Sequence, residues 1–131
     1  GIGIGDDKYE IQKDIYDNNI EEVIKKIIDN KYFEENNVNL VIGGTSQKLY
    51  ELALKYGLGI NQWEGNITNL IKKIEANSED KAKELNVSYC TKDLSFDGKT
   101  ISQENFEIIY VLSEKKSFNK QIDEIEKQCL N

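Results

Sequence analysis

The residues best suited to chemistry are Gly43-Gly44-Thr45-Ser46. A turn with almost no side chain lets backbone N–H groups converge on an anion, and a helix beginning just after it adds partial positive charge. Thr45 and Ser46 add two hydroxyls, so phosphate is the natural guest. The same residues also suit an ordinary strand-to-helix turn, and spacing alone leaves both readings open. Asp6 and Asp7, after the alternating Gly1-Ile2-Gly3-Ile4-Gly5, are the second candidates. They stand either at the C-terminal end of a strand, the working edge of parallel α/β folds, or in a solvated acidic turn. The Gly-x-Gly-x-Gly spacing departs from the dinucleotide fingerprint and reads better as a strand in a crowded place.

Much other chemistry is excluded by composition. The chain has 131 residues, no His, 24 acidic groups against 17 basic ones, and a net charge of −7. Every basic residue is Lys. Without His, the commonest general base and metal ligand are missing. Cys90 and Cys129 lack ligand spacing, so no metal site is expected, and a reducing, cytoplasmic setting with free thiols is the default. An acidic chain without Arg argues against nucleic acid and against a bidentate Arg clamp. No stretch approaches the ~20 apolar residues of a membrane span. Asn66-Ile67-Thr68 and Asn86-Val87-Ser88 match the glycosylation triplet, as an Asn-rich chain does by chance. A chain without Met that opens on an apolar segment is expected to be a piece of something longer or a start that lost its Met.

The elements that position the turn follow from periodicity. Residues 38–42 are a nearly continuous apolar run rich in β-branched residues, the pattern of a buried parallel strand. Leu49, Leu52, Ala53 and Tyr56 recur at helical spacing, with Thr45 or Ser46 as N-cap, Glu51 and Lys55 as an i,i+4 pair, and Gly57 as the stop. Residues 58–63 are extended again, completing a right-handed βαβ unit. Before it, residues 8–16 are weakly amphipathic, Asp17-Asn18-Asn19 is turn and cap material, and Ile20, Val23, Ile24, Ile27 and Ile28 mark a helix face closed by Asn30. Residues 31–37 read as a polar connector. Afterwards Asn66 caps a helix with Ile67, Leu70, Ile71 and Ile74 inward, Asn77-Ser78 reads as a break, and residues 87–90 form a strand. A polar stretch with Asp97-Gly98 as turn precedes a strand at 106–112. Ser117 then caps a helix carrying Phe118, Ile122, Ile125 and Cys129, the last read as core. The fold class is α/β: a single domain with a parallel sheet of about four to five strands and flanking helices.

Three stretches carry a resemblance. Residues 1–8, Gly-Ile-Gly-Ile-Gly-Asp-Asp-Lys, are similar to the Gly-x-Gly-x-Gly-Asp strand end of the luciferase-like flavin- and deazaflavin-dependent oxidoreductases, most of all their methylenetetrahydromethanopterin reductase branch. Residues 38–63 are similar to that family's next strand, Gly-Gly/Ala-Ser/Thr turn, helix and strand. Residues 66–90 fit the helix and strand that follow. The resemblance covers residues 1–92; residues 93–131 fit loosely as a final strand and helix. It implies a partial (βα)8 TIM barrel, the C-terminal half, with FMN or coenzyme F420 across the strand ends. Gly43, Gly44, Thr45 and Ser46 match the turn that holds the cofactor phosphate. Asn61 and Trp63 match the lining of the cofactor and substrate cavity, and Gly5 and Asp6 face the same mouth. The first three βα units have no counterpart, and the family's basic and His contacts are missing, so no catalytic residue carries over. The implied activity is hydride transfer between the cofactor and a small organic substrate. The alternative is a non-catalytic binding or assembly module with a vestigial phosphate turn. Half a barrel exposes two edge strands and an open face, so a homo-oligomer or a second chain completing the barrel is expected. An open flavodoxin-like sheet with helices on both faces is the third possibility.

Overall fold

Alternation of burial along the strands shows how the sheet is covered. In a computed structural model the backbone of residues 2–4, 13–76 and 80–129 is described, and the side chains of residues 20–76 and 82–129. The order is β1 (Ile2–Ile4), α1 (Lys13–Ile28), α2 (Lys31–Glu35), β2 (Leu40–Gly43), α3 (Gln47–Tyr56), β3 (Gly59–Trp63), α4 (Ile67–Glu75), α5 (Asp80–Lys83), β4 (Val87–Thr91), β5 (Phe106–Tyr110) and α6 (Phe118–Cys129). The five strands form one sheet in the order β1-β2-β3-β4-β5, every neighbouring pair parallel.

One face of this sheet carries Leu40, Ile42, Ile60, Val87, Tyr89 and Thr91, all buried. They pack with Ile20 and Ile24 of α1, Leu49, Leu52 and Ala53 of α3, and Ile67, Leu70, Ile71 and Ile74 of α4 in one core. The other face carries Val41, Gly43, Asn61, Ser88 and Cys90, half-buried, and Glu107 and Ile109, exposed. Helices α1, α3 and α4 therefore cover one face. Sequential strand order accounts for this: right-handed connections that never reverse direction return every helix to the same side. The flavodoxin-like possibility, which needs helices on both faces, is overturned. The expected parallel α/β sheet with flanking helices is found. Among the described residues β1 and β5 are edges and the sheet is not closed.

Several local expectations are corrected. Asp17-Asn18-Asn19 does not end a helix, since α1 runs through it. Asn30 does not close α1; its side chain accepts the Tyr32 N–H at 2.9 Å and caps α2, where a connector was expected. Val23 and Ile28 are 45% and 39% exposed, so α1 buries a narrower stripe than its apolar spacing implies. Lys55 reaches Glu21 of α1 at 2.5 Å rather than Glu51, which instead accepts from Gln47 at 2.9 Å. Cys129 is exposed rather than core. The connection from β4 to β5 has no helix; Phe96 and Ile101 from that irregular stretch pack on the core instead. The break expected at Asn77-Ser78 lies outside the described residues.

Candidate functional site

The turn of residues 43–46 is built as an extension of the sheet followed by a capped helix. Gly43 lies opposite Asn61, and the Gly44 N–H donates to the Asn61 carbonyl at 2.9 Å, one step beyond the ladder. Gly44 has φ 121°, which turns the chain toward the helix layer in a conformation a side chain would strain. Ser46, not Thr45, is the N-cap: its Oγ accepts the Leu49 N–H at 3.4 Å. The Tyr50 N–H returns to the Ser46 carbonyl at 2.9 Å.

That leaves the N–H groups of Thr45, Ser46, Gln47 and Lys48 without a hydrogen-bond partner among the described residues. Helix starts leave such donors by geometry. Here a cation stands beside them. Lys73, from the last turn of α4, places its Nζ 3.3 Å from the Thr45 carbonyl and 5.4 Å from the centre of the Tyr50 ring. Backbone donors, two hydroxyls, the positive end of α3 and one ammonium make a donor set suited to an oxyanion. The position of Lys73 depends on how α4 packs on α3, which periodicity does not reveal; the only sequence signal is its place in the polar stripe of α4.

Beside the turn lies the uncovered face. Strand register aligns Gly43, Asn61, Ser88 and Glu107 in one row and Trp63, Cys90 and Ile109 in the next. Asn61 Nδ2 donates to Ser88 Oγ at 2.8 Å and to Cys90 Sγ at 3.3 Å. Its Oδ1 has no partner among the described residues. Trp63 is 56% exposed, with Lys92 Nζ 5.9 Å from its ring centre. Ser88, Cys90 and Lys92 belong to this face through register alone, which the sequence did not disclose. The structure thus brings Gly43, Gly44, Thr45, Ser46, Asn61 and Trp63 to one edge. Gly5 and Asp6 lie outside the described residues.

Among the described residues no titrating group of shifted pKa faces the turn. The shifted carboxylates serve local structure: hydrogen bonds from the Ser95 hydroxyl and N–H hold Asp93 low, and the Lys99 N–H does the same for Asp97. Among the described residues no group of three His, Cys, Asp or Glu side chains is placed to hold a metal. A cavity of about 1100 Å³ lies at the opposite, N-terminal ends of the strands, bordered by Phe33, Val41, Tyr56, Gly59, Ser88 and Glu107, and neither Asn61 nor Trp63 lines it. None of the described helices is long and apolar enough to cross a membrane. Compared with known proteins, the chain matches no family model, no curated protein and no solved structure.

Proposed function

We propose that the chain binds the phosphate of FMN or coenzyme F420 at residues 43–46 and forms part of a luciferase-like oxidoreductase, its sheet a partial (βα)8 barrel. The observation that carries this reading is the set of four N–H groups at the head of α3 that no described group bonds, with the Lys73 ammonium beside them. They fit a phosphate anion without Arg. Thr45 and Ser46 would add hydroxyl contacts, the free Asn61 Oδ1 would accept from a ring N–H, and the Trp63 indole would offer a flat surface to the ring system. The bound cofactor would supply hydride transfer to or from a small organic substrate, and the protein would hold and orient it. Since Trp63 is 56% exposed, water exclusion over the site needs a further layer, from a second chain or another segment. The reading carries a cytoplasmic location, where thiols such as Cys90 and Cys129 stay reduced.

The test is fluorescence titration with FMN and with the deazaflavin. Lys73→Gln leaves the helix cap intact and removes one charge-assisted contact, so affinity should fall about tenfold. Thr45→Ala with Ser46→Ala should weaken it further. An affinity unchanged in both variants refutes the assignment. The second reading, a non-catalytic binding or assembly module with a vestigial turn, is favoured by the cavity at the far end of the strands and by the Gly44 and Leu49 N–H groups being engaged already. Absence of binding by either cofactor selects it.

A further inference from the structure

The edge of the sheet at β5 is unpaired among the described residues. Register places Ser88 opposite Glu107 and Cys90 opposite Ile109, and the ladder is flanked by Val87 N–H to Asn105 O and Val111 N–H to Thr91 O, each 2.9 Å. In a parallel ladder this means the odd-numbered residues of β5 bond β4. The N–H and C=O groups of Phe106, Ile108 and Tyr110 therefore point away from the sheet, and no described group bonds them. Natural edges are usually blunted by Lys, Pro, bulges or a covering segment. This one reads Phe-Glu-Ile-Ile-Tyr, with Glu107 its single charge and no Lys, Pro or Gly. Beside it Ile109 is 41% exposed on the open face.

We propose that β5 pairs antiparallel with β5 of a second copy of this chain, about a two-fold axis at Ile108. Such a contact is isologous, so one surface satisfies itself. In this register Ile108 faces Ile108 of the second copy, Phe106 faces Tyr110, and Glu107 faces Ile109. All the outward N–H and C=O groups of Phe106, Ile108 and Tyr110 then find partners. Charge excludes one alternative register. Centring the axis on Glu107 instead sets the two Glu107 carboxylates directly opposite each other, which is unfavourable. The centred pair juxtaposes no like charges. It also joins two five-stranded sheets into one of ten, and it draws nothing from the cofactor reading.

The experiment is sedimentation equilibrium across a concentration series. The wild type should approach twice 15.1 kDa. Ile108→Pro removes an outward N–H that β4 does not use, so it should leave the fold intact by circular dichroism and give a monomer. Ile109→Glu sets like charges opposite Glu107 of the second copy and should raise the dimer dissociation constant at least tenfold. Ile109→Lys, the same site with the opposite charge, should leave it unchanged or lower it. A monomeric wild type, a dimer indifferent to Ile108→Pro, or equal weakening by Glu and Lys at position 109 each overturns the proposal.

Discussion

Gln121 is the only buried residue of α6, at 5% exposure, and its replacement by Ala should loosen that helix without loosening the sheet. Its Oε1 accepts the Ser113 N–H at 2.8 Å, and its Nε2 donates to the Ser113 carbonyl at 3.0 Å. Longer contacts run to Ser117 O at 3.3 Å and Lys116 O at 3.4 Å. The two short bonds are each worth about 0.5–1.5 kcal/mol net. Ser113, Lys116 and Ser117 are exposed, so water takes over the released groups and no full desolvation penalty is added. The loss is then about 1–3 kcal/mol, roughly a 5- to 150-fold change in the opening equilibrium of α6 at 1.4 kcal/mol per tenfold. Otherwise α6 is held by the half-buried Ile122 and Ile125, so the effect should stay local. Amide hydrogen exchange in Gln121→Ala should accelerate by that factor in α6 and remain unchanged in β2, β3 and β4. Unchanged α6 rates, or acceleration spread evenly over the sheet, would refute this. Gln121→Glu should do worse than Ala at neutral pH, because it turns a carboxylate toward carbonyl oxygens. Burial raises the pKa of such a group, so its penalty should shrink as pH falls.

Two further predictions concern a turn and a pair of helices. Gly98 has φ 64°, and a Cβ there would stand 2.9 Å from Ile108 Cδ1 and 3.2 Å from Phe106 Cε1. Gly98→Ala should cost about 1–3 kcal/mol, a fall of roughly 3–12 °C in Tm by thermal denaturation; a rise in Tm would contradict it. Glu21 accepts from Lys55 Nζ at 2.5 Å and from the Tyr56 hydroxyl at 2.6 Å, and these bonds, that of Lys55 first, lower its pKa from 4.5 to about 2. Because the folded value is the depressed one, the stabilisation is complete above pH 4.5 and is lost as pH falls through about 2. The Tm advantage of wild type over Glu21→Gln should be level from pH 5 to 8 and shrink below 4.5; a gap that widens in acid would contradict it.

Sequence patterns disclosed what one element decides alone. The α4 stripe of Ile67, Leu70, Ile71 and Ile74, all buried, and the Asn66 cap, whose Oδ1 accepts the Thr68 N–H at 3.0 Å, are written locally. So is Gly57, which ends α3 with its N–H on the Ala53 carbonyl. What depends on several elements was not legible. Lys55 had a suitable Glu51 four residues away, yet Glu21 from another helix holds it together with Tyr56. Asn30 reads equally well as the end of one helix or the start of the next, and only the short α2 resolves it. In the candidate site, Gly43 and Trp63 end their strands as spacing suggests, whereas Asn61, expected at a strand end, lies in the middle of β3; the choice of Ser46 as cap and the arrival of Lys73 follow from packing. The absent helix between β4 and β5 was legible, since that stretch has no 3.6-residue period.

The uninterrupted strand order has a consequence for synthesis. Each strand lies beside the one made just before it, and no later segment must be inserted between finished neighbours. A chain leaving the ribosome can add one strand at a time to a template already laid down, as repeat proteins do, with short loop closures throughout. At every stage the newest strand is the growing edge, and among the described residues β5 is the last to hold that place.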